Sequence, residues 1–261
     1  MNSISYWFVN SKKNLVVKLK IFQKQHAFSD SLVLTLRDES GLFSFRAGQY
    51  LTLILNDSNE NLFKSFSIAS APYELPNIEI AFRLSTDDFS KKILNMQPGD
   101  YVFALPAIGN MTIKYSSQTK YFFISMGSGI TPFYSIVKQL IYKKFENQIH
   151  LVQSNSTIER SFYNEQLKDL STKHANIFYT NMLTRRETIK VNRLNCDWLK
   201  YYFSENNLFF NEFNFYISGN SEFVSNFVEC LKQKNVDTRN IHIEKFDYNF
   251  IKTEVKKNFV K

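Results

Sequence analysis

With 261 residues, 44% hydrophobic and 16% aromatic content, the chain is long enough for two modest domains with real cores. No apolar run approaches the ~20 residues of a membrane-spanning helix, and the net charge of +8 comes without the dense Lys/Arg stripe of a nucleic-acid binder. The four histidines do not cluster, and Cys196 and Cys230 have no metal-ligand spacing, so neither a metal site nor a disulfide is expected; the N-terminus shows no secretory pattern, and reduced thiols in a cytoplasmic protein are the expectation.

The first part of the chain reads as β. Runs rich in β-branched and aromatic residues occupy 15–23, 31–37, 49–55, 65–70, 78–84 and 101–105, separated by polar or Gly/Pro turns. Strands at this spacing predict an antiparallel barrel or sandwich. One helix is expected over 88–96, stopped by Pro98 and Gly99. After residue 115 the pattern changes. Strands at 121–126, 148–153, 176–180, 213–218 and 241–246 alternate with helices at 132–145, 159–170, 192–203 and 221–234. Such alternation predicts a parallel sheet with helices on both faces. The expected division is therefore a β domain over 1–115, an α/β domain over 116–250, and a basic tail over 251–261.

One turn stands out in the α/β half. The apolar run Tyr121 to Met126 stops at Gly127-Ser128-Gly129-Ile130-Thr131-Pro132, and a helical pattern follows with Phe133, Ile136, Val137 and Leu140 on one side. Strand, glycine turn and helix present N–H groups and a positive dipole end to an anion. Pro132 suits the first helical position. The chain has only seven glycines, and two of them fall in this turn. A bound dinucleotide and redox chemistry are the expectation.

Four further stretches accompany the turn in order: Lys64-Ser65-Phe66-Ser67 with Ile68-Ala69-Ser70; Asp88-Phe89-Ser90-Lys91, followed by Leu105-Pro106-Ala107-Ile108-Gly109; Gln153-Ser154-Asn155-Ser156 with Thr184-Arg185-Arg186; and Tyr216-Ile217-Ser218-Gly219-Asn220, with Glu244-Lys245-Phe246 near the end. Together, over residues 12–248, the five motifs resemble the ferredoxin–NADP reductase family. The resemblance implies a flavin-binding antiparallel β-barrel followed by an NAD(P)-binding α/β domain. It implies FAD, with FMN as the alternative, and NADPH or NADH as cosubstrate.

Residue by residue, the resemblance assigns Lys64 to a flavin phosphate, Phe66 to a stacking face, and Ser65 and Ser67 to the flavin edge, with Ser67 near N5. It assigns the N–H groups of Ser90 and Lys91 to the phosphate, with Arg83 as a compensating cation beside Asp87 and Asp88. Gly127, Ser128, Gly129, Ile130, Thr131 and Pro132 would receive the pyrophosphate of NAD(P). Ser156, Arg185 and Arg186 would meet the adenosine ribose, the arginines suiting a 2′-phosphate. Gly219 and Asn220 would border the nicotinamide, Ser218 would stand where the family often has Cys, Glu244 would position the ring or carry a proton, and Phe246 would cover the flavin. Ser67, Ser218 and Glu244 are the catalytic candidates. An acidic ferredoxin or flavodoxin suits the positive charge as acceptor. The departures at Lys64, Phe66, Asp87, Ser218 and Asn220 keep open a second reading, a diverged electron-transfer subunit with little activity of its own.

Overall fold

The computed structural model describes residues 16–28, 30–56, 61–113, 119–184 and 193–246. Arg185, Arg186 and the tail 251–261 lie outside the described residues. Packing divides the chain into two compact units, the break falling between Thr112 and Ile113.

The first unit is a six-stranded antiparallel sheet. Its strands are β1 (Val17–Phe28), β2 (Ser31–Arg37), β3 (Tyr50–Asn56), β4 (Asn61–Ser67), β5 (Asn77–Arg83) and β6 (Tyr101–Ala104), in the order β4-β3-β6-β1-β2-β5. An antiparallel bridge between Ile68 and Ile80, and a bond from the Ala69 N–H to the Glu79 carbonyl at 2.7 Å, join the two edges and close the barrel. Alternation explains the strands: Val17, Leu19 and Ile21 of β1 and Leu32, Leu34 and Leu36 of β2 are buried in one core. β4 begins at Asn61 and ends at Ser67, earlier than the expected 65–70.

Helix α1 (Asp88–Asn95) packs Phe89 and Ile93 into the same core. Its two ends are held by opposite charges. Asp87 caps the N-terminus, and Lys24 Nζ donates to the carbonyls of Leu94 at 2.5 Å and Met96 at 2.8 Å. Both charges oppose the helix dipole favourably.

The second unit is a parallel sheet. It comprises β7 (Lys120–Met126), α2 (Thr131–Tyr142), β8 (Ile149–Asn155), α3 (Asn164–Lys173), β9 (Ile177–Leu183), α4 (Cys196–Glu205), β10 (Phe213–Gly219), α5 (Ser221–Gln233) and β11 (Ile241–Lys245), with sheet order β11-β10-β7-β8-β9. Successive residues of β7 face opposite sides. Phe122 and Ile124 join the core made with α4 and α5, whereas Phe123 lies against Phe133 of α2. The central strand is therefore buried on both faces, as its continuous apolar run requires.

Helix ends differ from expectation where the backbone turns left-handed. α2 ends at Tyr142 rather than 145, with Lys144 at φ 55°. α3 starts at Asn164 rather than 159, after a separate 3-10 turn at Ile158–Arg160 and a left-handed Tyr163. Asn207 and Asn235 take the same conformation just beyond α4 and α5, the place glycine usually holds.

The expectation of reduced thiols is corrected. Cys196, at the start of α4, and Cys230, on α5, form a disulfide. Their 34-residue separation in sequence concealed their proximity: the two helices share one core cluster over the sheet.

Candidate functional site

Strand order locates the first site. From β7 the chain runs outward to β8 and β9, then returns to the other side of β7 for β10 and β11. The carboxyl ends of β7 and β10 flank this reversal, where connections leave in opposite directions and a crevice results. The Gly127 turn sits there.

The turn is not an open loop. Gly127–Ile130 wind into one 3-10 turn that leads directly into α2, so the helix begins at Thr131 and Pro132 stands second. Thr131 is buried, and its hydroxyl donates to the Ser128 carbonyl at 2.7 Å. The two glycines have different reasons. Gly127 adopts φ +59°, and a side chain there would meet nothing within 4 Å, so the backbone is open to approach. A Cβ at Gly129 would lie 2.6 Å from the Ser218 carbonyl oxygen. A side chain at Gly129 is therefore excluded by packing between the turn and β10.

Register brings three polar residues side by side at this edge. Ser218 of β10 pairs with Ser125 of β7 on one side and Glu244 of β11 on the other. Ser218 is fully buried, and its hydroxyl has no hydrogen-bond partner among the described residues. Gly219 accepts the Phe246 N–H at 2.9 Å. Asn220 caps α5, its side-chain oxygen accepting the Phe223 N–H at 2.8 Å, which accounts for an Asn at this position. Ser156 follows β8 directly and is half-buried.

Beneath the turn lies a polar network, of which the sequence reading named only Gln153 and Asn155, without assigning them a role. Gln153 is fully buried; its amide donates to the Gly127 carbonyl at 3.3 Å and accepts from Tyr179 Oη at 2.8 Å. Asn181 donates to Asn164 Oδ1 and to Ser161 Oγ, each at 2.9 Å, and accepts from Asn155 Nδ2 at 3.1 Å. The side-chain Oδ1 of Asn155 is buried without a partner among the described residues. Burial, then the Glu165 charge, raises the Tyr179 phenol, which stays a donor. The available signal was Gln153-Ser154-Asn155, a polar end on a fully buried strand.

His150, on the same strand, is a core residue. Its ring stacks between Phe122 and Phe178, and Nδ1 lies 2.9 Å from Tyr202 Oη. Burial, aided by Lys120, lowers its pKa to about 4.

A second cluster lies in the first unit. Lys64 of β4 projects to the start of α1, where its ammonium bonds Asp87 Oδ2 at 2.6 Å and Ser85 Oγ at 3.1 Å, with Ser90 Oγ at 3.4 Å. Burial pushes the Asp87 carboxyl up, but hydrogen bonds from Lys64, Ser85 and Ser90 outweigh this and hold it well below the usual range. Ser65 Oγ pairs with Thr52 Oγ1 at 2.8 Å, and Ser67 is buried at the end of β4.

Several expectations for this cluster are corrected. Phe66 offers no free face: it is buried, with ring centroids 4.4 Å from Phe82 and 5.5 Å from Phe89. The Lys64–Phe66 spacing puts both on one side of β4, and the barrel core takes the ring. The N–H groups of Ser90 and Lys91 are already engaged, by Asp87 Oδ1 at 2.7 Å and the Asp87 carbonyl at 3.1 Å. Arg83 pairs with Asp30 at 3.7 Å and the Lys91 ammonium with Asp88 at 2.9 Å.

No helix of the described residues is long and apolar enough to cross a membrane, and no His/Cys/Asp/Glu group among them is arranged to hold a metal.

Residues 123–229 match the oxidoreductase NAD-binding domain family. In sequence the chain is 26% identical, over 169 residues, to the ferredoxin reductase component of 3-ketosteroid-9-alpha-monooxygenase from Rhodococcus rhodochrous, covering 63% of this chain and 48% of that protein. The chain spans about half the length of the first curated relatives it matches. In structure it resembles ferredoxin–NADP+ reductase from Plasmodium falciparum with 2′P-AMP, with a TM-score of 0.77 at 19% identity, covering 90% of this chain and 99% of that one. A ferredoxin NADP+ reductase from Neisseria gonorrhoeae with bound FAD and NADP gives 0.75 at 22% identity, covering 88% and 98%.

Proposed function

We propose that this chain, a ferredoxin–NADP reductase-like protein, is a flavin-dependent oxidoreductase that takes a hydride from NADPH or NADH and passes electrons to an external acceptor. The observation that carries the reading is the Gly127 turn. It stands at the strand-order reversal of a parallel sheet, with its first glycine open to a ligand and a buried amide network beneath it. The match of residues 123–229 to the NAD-binding oxidoreductase domain supports it.

The residues present fit a nicotinamide dinucleotide. Ser128, Gly129 and Ile130, with Thr131 and Pro132 in the first turn of α2, would hold the pyrophosphate. Gly219 and Asn220 would border the nicotinamide, with Ser218 and Glu244 adjacent in register. Ser156, with Arg185 and Arg186, would take the adenosine ribose, a 2′-phosphate suiting the arginines. For the flavin, Lys64, Ser90 and the N-terminus of α1 are a phosphate-type donor set, with Ser65 and Ser67 next along β4. When bound, the nicotinamide supplies the hydride and the flavin redistributes its electrons singly or in pairs. The chain holds and orients the two.

FAD is the preferred flavin, with FMN the alternative. An acidic ferredoxin or flavodoxin fits the +8 charge as acceptor, and the Rhodococcus relative is named as a ferredoxin reductase component. A second reading, a diverged electron-transfer subunit with little independent activity, is favoured by the burial of Phe66 and the engagement of Lys64. The test is the visible spectrum of the protein with added FAD, before and after anaerobic NADPH or NADH. A flavin spectrum that bleaches supports the reductase. A bound flavin that neither cofactor reduces favours the subunit reading.

A further inference from the structure

At the start of α1, the groups that recognise a phosphate converge on a carboxylate belonging to the chain itself. Asp87 Oδ2 accepts from Lys64 Nζ and from Ser85 Oγ, each at 2.6 Å, and Oδ1 accepts the Ser90 N–H at 2.7 Å. Ser90 is buried, with its hydroxyl 3.1 Å from Ser85 Oγ. An ammonium, two hydroxyls and a helix N-terminal N–H would hold a phosphate oxygen for each donor. Here one side chain takes most of them.

Exposure shows which partner lies outermost. The Lys64 side chain is 14% exposed and that of Asp87 is 44% exposed. A ligand arriving from solvent meets the carboxylate before the cation. The pair is neutral as a unit, and two cations of the same unit are paired elsewhere: Arg83 with Asp30, Lys91 with Asp88. A phosphate therefore finds no uncommitted cation among these groups, and Asp88 adds a second negative charge at the same helix end.

We propose that Asp87 is a resident occupant of the flavin-phosphate subsite, so that a flavin nucleotide binds only by displacing its carboxylate from Lys64 and the cap of α1. The inference rests on the flavin reading above and adds a consequence to it. Flavin nucleotides are held weakly and exchange readily, and the phosphate contributes little to affinity. Riboflavin, which has no phosphate, carries no such penalty. Displacement leaves an anion beside an anion, and the electrostatic cost falls on FMN and FAD alone.

The test is a titration of the full chain with riboflavin, FMN and FAD, followed by flavin fluorescence, for the parent, Asp87→Asn and Asp87→Glu. Asparagine caps a helix as well as aspartate does, so α1 is preserved; circular dichroism checks this. The expected result is that Asp87→Asn tightens FMN and FAD on the order of tenfold, the effect of removing one like charge near a phosphate. Riboflavin affinity stays unchanged, and Asp87→Glu behaves as the parent. Inorganic phosphate should then compete with FMN, but not riboflavin, in Asp87→Asn. Flavin nucleotides bound equally by parent and Asp87→Asn, or a riboflavin gain equal to that of FMN, would overturn the inference while leaving the reductase reading intact. Failure of every flavin to bind both proteins would overturn both.

Discussion

The two glycines of the Gly127 turn separate folding from binding, and replacing each by alanine exposes the difference. At Gly129 a Cβ would lie 2.6 Å from the Ser218 carbonyl oxygen and 2.9 Å from its carbon. Both are backbone atoms of a fully buried strand residue, so the turn or β10 must move by several tenths of an ångström. Overpacking of this kind costs about 1–3 kcal/mol, which at ~3 °C per kcal/mol lowers the melting temperature by roughly 3–9 °C. At Gly127 the added methyl meets nothing within 4 Å, and the cost is the left-handed backbone at φ +59°, about 1 kcal/mol. The methyl does stand on the backbone that the ligand approaches, and NAD(P)H affinity should fall about tenfold, or ~1.4 kcal/mol. Urea unfolding and isothermal titration with NADPH and NADH read the two quantities independently. A Gly129→Ala protein as stable as the parent would refute the packing argument. Unchanged nucleotide affinity in Gly127→Ala would refute the assignment of the open backbone to the ligand.

Three further outcomes are expected. Reducing the Cys196–Cys230 disulfide frees a loop with a 34-residue separation, and chain entropy sets the loss at about 4 kcal/mol; an unchanged urea midpoint in dithiothreitol would contradict this staple. Burial lowers the His150 pKa to about 4 from the ordinary 6.5. Below pH 6.5 the unfolded chain therefore binds a proton that the folded chain refuses, so stability present above 6.5 is lost as pH falls to 4, by about 3 kcal/mol. His150→Phe should flatten that part of the profile, and an equally steep profile in the variant would show that other groups cause it. Finally, Lys64→Ala should lower FAD occupancy more than it lowers thermal stability, because the Asp87 carboxylate left behind is 44% exposed and can be solvated. Equal occupancy in variant and parent would remove Lys64 from the flavin site.

Much of the architecture was legible from local pattern. β7, β10 and β11 fall within a residue or two of the expected stretches, because alternation and helical spacing report contacts two to four residues apart. The strand–turn–helix at Gly127 was legible for the same reason. What the turn's second glycine is for was not legible, since its reason is Ser218, 89 positions away on a neighbouring strand. The inward turn of Phe66 was hidden likewise: a ring at that position suits a ligand or a core, and Phe82 and Phe89 decide it.

The sequence by itself determined the kinds and order of elements, the change from antiparallel to parallel organisation, and a glycine turn fit for an anion, because these depend on periodicity and backbone freedom over short spans. Only the tertiary structure decided which distant side chains meet. It joined Cys196 to Cys230, gathered Gln153, Tyr179, Asn181 and Asn164 under the turn, and set Asp87 on Lys64. Those pairings follow from sheet order and barrel closure, which bring together residues tens of positions apart and carry no local signature in the chain.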